Sequence, residues 1–555
     1  MLISVLKRPL FRGAALSAGG IVAGSASLLL YWTPPKTNTD ESRYFDPNTF
    51  KVYYGTQSGN LDQVVETTYG APYVALTNLE SGQTIYVQVS AINSAGTESA
   101  LTAEGAFTVP TADAQPEFTT ISSFPYTISQ SGAYKIASSA TVNSGAAITI
   151  SANDVVLYGG NGFYGDAASG VDLTYAETDS GNAIVFSGAY TGVEIFGFSF
   201  KRGASTANGG GTDNACIYRN GAIGSGAKFH HNDFDLARSY SVGIRCSDLA
   251  WAHIFSNSIT LRNRDGETSL NDGGTYTNVS FIGEGSEHFY SYSNTIVHNG
   301  TVGYTYTYHE CGHAYAFNDS DTLQSNCDQG GIFQGWGNTE FYYAHGDIYV
   351  AAPHSRLFNN DGGGTYATAI HCDIECQSAT SPVGETRIFR MRYGQHGMSV
   401  GYNVVHGESP QTNVVSFGGV DGSTPGTSDV TPSDGYAYYN TITGTVPFES
   451  YDAFDNFQSW ANSYTAANGG THAFSGLNIY LTNAISYGDT LSSSSNKVAG
   501  SNVGSMDVYQ SFAAGDVSGG TTGYTFEVSD PGVPEAGKTP LAPTGLAQIN
   551  PGQIP

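Results

Sequence analysis

A short phrase recurs along the middle of the chain and constrains the fold more than any other feature. It consists of an aromatic or polar residue, then asparagine, then an alternating apolar segment. The instances are His231-Asn232-Asp233-Phe234, Ser256-Asn257-Ser258-Ile259, Ser293-Asn294-Thr295-Ile296, Phe317-Asn318, Tyr439-Asn440-Thr441-Ile442 and Thr482-Asn483-Ala484-Ile485. Their spacings are 25, 37 and 24 residues, then a long gap, and finally 43. A period of about 20–30 residues is one coil of a solenoid, and longer spacings are coils that carry loops. Asparagine suits the position because it tolerates left-handed backbone at a turn, and stacked amides can hydrogen-bond as a ladder.

Composition points the same way. Only 12% of the 555 residues are charged, about half the usual ~25%. Long amphipathic helices lack the Glu, Lys and Arg they need. With 70 glycines and 37 tyrosines, an all-β chain with many turns fits better. The 48 acidic against 21 basic side chains leave a net charge of −27. Such a surface repels phosphate backbones and anionic headgroups, so no nucleic-acid partner is expected. No run of about 18 apolar residues offers a membrane span. The length predicts two to four domains at roughly 100–200 residues each.

Six cysteines (Cys216, Cys246, Cys311, Cys327, Cys372 and Cys376) are too few for a disulfide scaffold. Cys372 and Cys376 have no second pair at matching spacing, so structural zinc is not expected. Buried thiols and one or more disulfides both remain open.

Lys7, Arg8 and Arg12 concentrate positive charge at the start of a chain poor in cations. Basic, then apolar, then small is also the order of an export signal. Here Gly19, Gly20 and Gly24 break the apolar part. Beyond it, Leu28–Trp32 and Phe50–Tyr54 read as strands, and 79–93 as a turn and an alternating strand. This pattern resembles a fibronectin type III module. Trp32 stands where that family keeps its core tryptophan, Leu79, Gly82, Thr84 and Tyr86 match its turn-and-tyrosine motif, and Asn93 with Gly96 match the following hairpin. The resemblance implies a first strand before Trp32, a place that Ala15–Ala18 and Ile21–Ser27 would fill. Met1–Arg12 is then expected to be a retained basic tail, with Lys7, Arg8, Phe11 and Arg12 as anchoring residues.

The repeats beyond residue 117 resemble the right-handed parallel β-helix of pectate-lyase-like proteins, to about residue 530. The expected fold class is all-β, a fibronectin type III-like sandwich plus a right-handed parallel β-helix solenoid. The expected boundaries are 1–12 for the tail, 13–110 for the module, 111–119 for a linker, 120–490 for the β-helix, and 491–555 for a cap and loose tail.

His309-Glu310-Cys311-Gly312-His313 matches HExxH, which binds zinc only on a helix. Its neighbours have strand composition, and residues four apart on a strand are about 13 Å apart. No metal is expected there. Gly394-Gln395-His396-Gly397-Met398-Ser399 resembles the Gly-His-Gly segment of polygalacturonases, but the paired aspartates of that family are missing upstream. A polysaccharide-cleaving site needs an acid and a base, or Ca²⁺ beside a base. The best candidate set is Asp328, Asp361, His371, Arg392 and His396, with Ca²⁺ as the cofactor only if the chain is a lyase. Nine of the 13 histidines fall between His288 and His406, beside Gln334, Trp336, Tyr342 and Tyr343. Aromatic faces with interleaved polar groups hold sugar rings, so these four are the expected glycan contacts.

Three readings follow. The first is a non-enzymatic surface protein of a bacteriophage virion (fibre, spike or decoration) that assembles through its tail and contacts a polysaccharide. The alternatives are a secreted polysaccharide lyase or glycoside hydrolase with an accessory module, and a bacterial surface adhesin or filament subunit. Resemblance to phage β-helices implies a homotrimer.

Overall fold

The structure, a computed structural model, describes residues 26–549 apart from interspersed segments, of which 161–170, 203–214, 263–277 and 418–432 are the longest. The chain forms two units, Met1–Pro116 with Val533–Pro555, and Glu117–Gly532. The anchoring residues Lys7, Arg8, Phe11 and Arg12 lie outside the described residues.

The first unit contains two antiparallel sheets. One has four strands in the order Gln63–Glu66, Thr49–Gly55, Thr84–Ile92, Gly105–Thr108. The other has three, in the order Tyr73–Leu79, Ala26–Thr33, Thr544–Ile549. Alternation along Thr84–Ile92 turns Ile85, Val87 and Val89 inward, where they meet Leu28, Leu30, Trp32, Phe50 and Val52 in one apolar core. Trp32 is fully buried and meets Phe50 edge-on at 5.3 Å. Tyr86, one residue out of phase with Ile85 and Val87, is half-buried. The edge beside Ala26–Thr33 is occupied by Thr544–Ile549; of the first strand expected before Trp32, Ala15–Ala18 and residues 21–25 lie outside the described residues. Residues expected to be a loose tail therefore form a strand, because Leu546 has the sandwich core to pack against.

The second unit is a parallel β-helix. Each coil adds one strand to each of three parallel sheets, here called A, B and C. Sheet A has 13 strands, from Ala140–Val142 to Thr490–Ser492, and sheet B has 15, from Tyr126–Ile128 to Val517–Ser518. Sheet C runs from Thr119–Ile121 through paired neighbours to Tyr524–Glu527. A typical coil passes through Ser241–Leu249 in B, Ala252–Phe255 in C and Ser258–Arg262 in A. The helix continues past the expected boundary at 490 to Tyr524–Glu527.

Register in a parallel stack places like on like. Phe200, Phe234, Ile259 and Ile296 form a continuous inward row in sheet A. Ile217, Ile244, Phe281, Tyr308, Phe333, Phe358 and Phe389 do the same in sheet B.

The recurring phrase is the corner between sheets C and A. Asn232 donates its backbone N–H and its side-chain amide to Asn257 Oδ1 at 3.1 and 3.2 Å. Asn257 does the same to Asn294 at 3.0 and 2.9 Å, and Asn294 to Asp319 at 2.8 and 3.2 Å. A second ladder runs Asn403, Asn440, Asn462, Asp489. Left-handed backbone falls on the residue before the asparagine: His231, Ser256, Ser293, Tyr402, Tyr439 and Ala461 all have φ between 51° and 57°. The asparagine is therefore selected for its amide rather than for its backbone freedom. Asn318 and Asn483, expected in this series, lie outside the described residues, and the ladder positions in those coils belong to Asp319 and Asp489.

The long gap between repeats is filled by coils whose corner residues are Gly346 and Cys372. Both are in phase with the ladder, and Cys372 donates its N–H to Asn403 Oδ1 at 2.9 Å. A Cβ on Gly346 would lie 2.1 Å from the Tyr343 ring, so that ring leaves no room for an asparagine.

Candidate functional site

Polar groups with strongly shifted acidity lie inside the solenoid. In the inward row of sheet A, Asp321 stands between Ile296 and Ile348. Its Oδ1 accepts from Thr307 Oγ1 at 2.5 Å and faces His298 Nε2 at 3.3 Å, while its Oδ2 accepts from the Tyr343 hydroxyl at 2.9 Å. His298 Nδ1 meets Thr305 Oγ1 at 2.9 Å. One corner away, Asp319 Oδ2 takes the hydroxyls of Tyr308 and Ser291. Burial pushes the Asp319 carboxyl up to about 7 and raises the Tyr308 and Tyr343 hydroxyls. Perturbed acids often mark active sites. Here His298, Asp319, Asp321, Tyr308 and Tyr343 have no exposed surface, and a polysaccharide cannot reach them. The network ties sheets A, B and C together across the interior.

Tyr343, expected to face a glycan, belongs to this interior network. Alternation along Glu340–Ala344 puts it inward and its neighbour Tyr342 outward. Tyr342 is half-buried on the outer face of sheet C, in a ring row with Tyr290 and Tyr315. Gln334 lies on sheet B in register with Asn359, and Trp336 lies outside the described residues.

The candidate catalytic set separates into two places. Asp361 and Arg392 end neighbouring strands of sheet B and are register partners, so their backbones are about 4.8 Å apart. His371 lies at the far end of the intervening sheet C strand, Tyr366–Ile370. Five residues of strand span about 16 Å, which puts His371 out of hydrogen-bond reach of the Asp361 position. Asp328 and His396 lie outside the described residues.

His371 instead joins a row at the corner between sheets C and A. His345, His371, Tyr402 and Tyr439 occupy the left-handed position of their coils. Their rings stack at 5.2, 4.6 and 5.1 Å, with planes within 12° of parallel. All four are partly exposed. Because each ring face covers its neighbour, the exposed part of the row is mostly ring edge, and His371 Nε2 is itself buried. Only the row's terminal rings can offer a stacking face.

The sequence reading missed one further arrangement. Glu194 Oε1 meets His230 Nε2 at 2.7 Å, and His230 Nδ1 meets His231 Nδ1 at 2.8 Å. His230 is sandwiched between Phe196 and Phe255. Burial drives His231 down to about 4 and also lowers His230. Both rings are neutral at pH 7, with His230 donating to Glu194 and accepting from His231. A base this weak suits packing better than proton abstraction. The signal for it was present in the sequence, since His231 opens the first recurring phrase.

HExxH crosses a corner. His309 ends the sheet B strand Tyr304–His309, His313 begins the sheet C strand His313–Phe317, and Cys311 is buried between them. Among the described residues no cluster of His, Cys, Asp and Glu could hold a metal. Cys216, Cys246, Cys311, Cys372 and Cys376 are buried thiols outside any disulfide, and burial pushes the Cys372 and Cys376 thiols up to about 12. Such thiols are poor nucleophiles. No helix among the described residues is long and apolar enough to cross a membrane.

No protein-family model matches the chain, and no curated protein matches it. Among solved structures, the chain is similar to a family 28 exopolygalacturonase from Yersinia enterocolitica. The identity is 9% and the TM-score 0.31, over 86% of this chain and 96% of that one.

Proposed function

We propose that this chain is a structural surface protein of a bacteriophage virion, a fibre, spike or decoration. In this reading a fibronectin type III-like sandwich is joined to a right-handed β-helix that touches glycans along its flank. The observation that carries the non-enzymatic reading is where the reactive groups lie. The strongly perturbed carboxyl, Asp319, is sealed inside, and His371 is separated from Asp361 and Arg392 by the length of a strand. The row His345–His371–Tyr402–Tyr439 supports glycan contact, because it sets four partly exposed aromatic side chains in line along the flank. The acidic, charge-poor composition supports an exposed particle component over a nucleic-acid or membrane binder.

The test has two arms. Antibody against residues 120–490 should label phage particles by immunogold, and deleting Met1–Arg12 should abolish incorporation while leaving the β-helix folded. On a glycan array, the double variant His371→Ala, Tyr402→Ala should lose at least tenfold in binding to whatever glycan the parent protein retains. Unlabelled particles sink the virion reading, and unchanged glycan binding sinks the row's role.

The register of Asp361 with Arg392 favours a second reading, a polysaccharide lyase or hydrolase. Depolymerisation of any uronic-acid or neutral glycan, with or without Ca²⁺, that is lost in both Asp328→Asn and Asp361→Asn would establish it.

A further inference from the structure

The two amide ladders of the solenoid do not meet. The first ends at Asp319, and the second runs from Asn403, whose Oδ1 takes the Cys372 N–H at 2.9 Å. Within each ladder a backbone N–H and a side-chain amide of one coil both point at a single Oδ1 of the next. The distances are 3.0 and 2.9 Å from Asn257 to Asn294, and 2.9 and 2.8 Å from Asn440 to Asn462. At the step from Asp319 to Gly346 the later corner residue has no side chain to receive them. Backbone pairing continues there. Ser320–Leu323 is in register with Asp347–Val350 in sheet A, and His313–Phe317 with Glu340–Ala344 in sheet C. Asp347 N–H donates to the Asp319 carbonyl at 3.1 Å, and Ala351 N–H to the Leu323 carbonyl at 2.8 Å.

Side-chain bonding across this step has moved inside. The Tyr343 ring fills the space that a Cβ on Gly346 would need, and its hydroxyl donates to Asp321 Oδ2 at 2.9 Å. That bond lies in a cluster of ionisable groups with no exposed surface. Facing Asp319 are Tyr308 from sheet B, which donates to Oδ2 as Ser291 of sheet C does, and Asp321 from sheet A. Facing Asp321 are His298 from sheet A and Tyr343 from sheet C, and Cys372 acts on Tyr343 from the corner. Burial holds the Asp319 carboxyl at about 7. Below that pH the carboxyl is neutral, and losing its proton places a charge inside the cluster. In a stack of coils, stability is a sum over neighbouring contacts, so the weakest step is where opening starts.

We propose that the step from Asp319 to Gly346 is a joint built into the solenoid, where coils part locally before either ladder does, and that ionisation of Asp319 loosens it. The sign follows from a carboxyl held protonated by the fold. Its support of the joint is complete below pH ~4, is lost as pH rises to 7, and changes no further above that.

Hydrogen exchange of the full chain, read by mass spectrometry and corrected for intrinsic rates, tests the joint against equivalent amides. Asp347 opens its sheet A strand at the joint. Thr295 and Ser463 open theirs within the ladders, bonded to the Asn257 and Asn440 carbonyls at 2.9 and 2.8 Å. At pH 8 the peptide Asp347–Ala351 should exchange at least tenfold faster than Thr295–Asn299 and Ser463–Ala466, and at pH 5 this ratio should be at least threefold smaller. Asp319→Asn should remove the pH dependence of the ratio, and Tyr343→Phe should speed exchange at the joint at both pH values. Equal protection of the three peptides at both pH values overturns the joint. A wild-type ratio that is the same at pH 5 and pH 8, or one that keeps its pH dependence in Asp319→Asn, overturns the role of Asp319.

Discussion

Replacing Asn257 by alanine tests the ladder at one rung. The side chain is almost fully buried. Its Oδ1 accepts from the Asn232 backbone and amide at 3.1 and 3.2 Å, and its Nδ2 donates to the Phe229 carbonyl at 3.0 Å and to Asn294 Oδ1 at 2.9 Å. Alanine leaves two donors of Asn232 and the Phe229 carbonyl without these partners, whereas Asn294 Oδ1 keeps the backbone N–H of residue 257. Each orphaned buried group costs about 1–3 kcal/mol, so the loss should be ~3–6 kcal/mol after partial relaxation. The companion Asn257→Asp separates geometry from chemistry. Aspartate still accepts from Asn232, but its second oxygen faces two acceptors where an amide had donated. At pH 7 it should be at least as damaging as alanine. At low pH a protonated carboxyl can donate again, so part of the loss should return. Equilibrium urea unfolding followed by circular dichroism measures all three proteins. A loss below about 1 kcal/mol for alanine, or an aspartate variant of wild-type stability at pH 7, would refute the reasoning.

Three further outcomes follow from the same geometry. Trp32→Ala should cost the sandwich ~3–5 kcal/mol, read as a lower melting temperature of that unit with the β-helix transition unmoved. Gly346→Ala should cost ~1–3 kcal/mol or more by overpacking, since its Cβ would press on the Tyr343 ring; calorimetry that finds no change would remove that explanation for the missing asparagine. Asp319 has a folded pKa of about 7 against an ordinary 3.8, so its contribution is fully present below pH ~4 and is lost as pH rises to 7. Asp319→Asn should therefore gain stability relative to the parent between pH 4 and 7, by at most about 4 kcal/mol; a difference in melting temperature that is flat across this window would contradict the assignment.

How much of this was legible in the sequence varied with how local each signal was. The coil period and the amide ladder could be read because Asn232, Asn257, Asn294 and Asn440 recur with the same flanking pattern. The ladder's terminators could not, because their logic runs between coils. Each asparagine donates towards the next coil, so a position with no acceptor ahead of it does best with acceptors only. Asp319, followed in phase by Gly346, and Asp489, whose Oδ2 accepts from Ser486, meet that need. The phase of Tyr343 was equally hidden. It and Tyr342 are neighbours with opposite environments, and composition alone cannot say which faces the core.

The sandwich shows the other limit of local reading. Trp32 and the apolar alternation of 84–92 locate a β-module, and they do so without regard to where its remaining strand comes from. Leu541-Ala542-Pro543-Thr544-Gly545-Leu546 reads as a proline-rich tail when only its neighbours in sequence are considered. Its apolar residues acquire a purpose only once Ala26–Thr33 is seen to need an edge partner. The same lesson applies to the acids. A carboxylate such as Asp321, polar among polar neighbours in sequence yet in register between Ile296 and Ile348, could mark either a reactive group in a cleft or a brace in a core. Here the answer comes from Thr307, His298 and Tyr343, which converge on it from three different sheets and leave no approach for a ligand. The corner row of His345, His371, Tyr402 and Tyr439 is partly exposed by contrast, and its rings line up because the backbone before each ladder position turns left-handed.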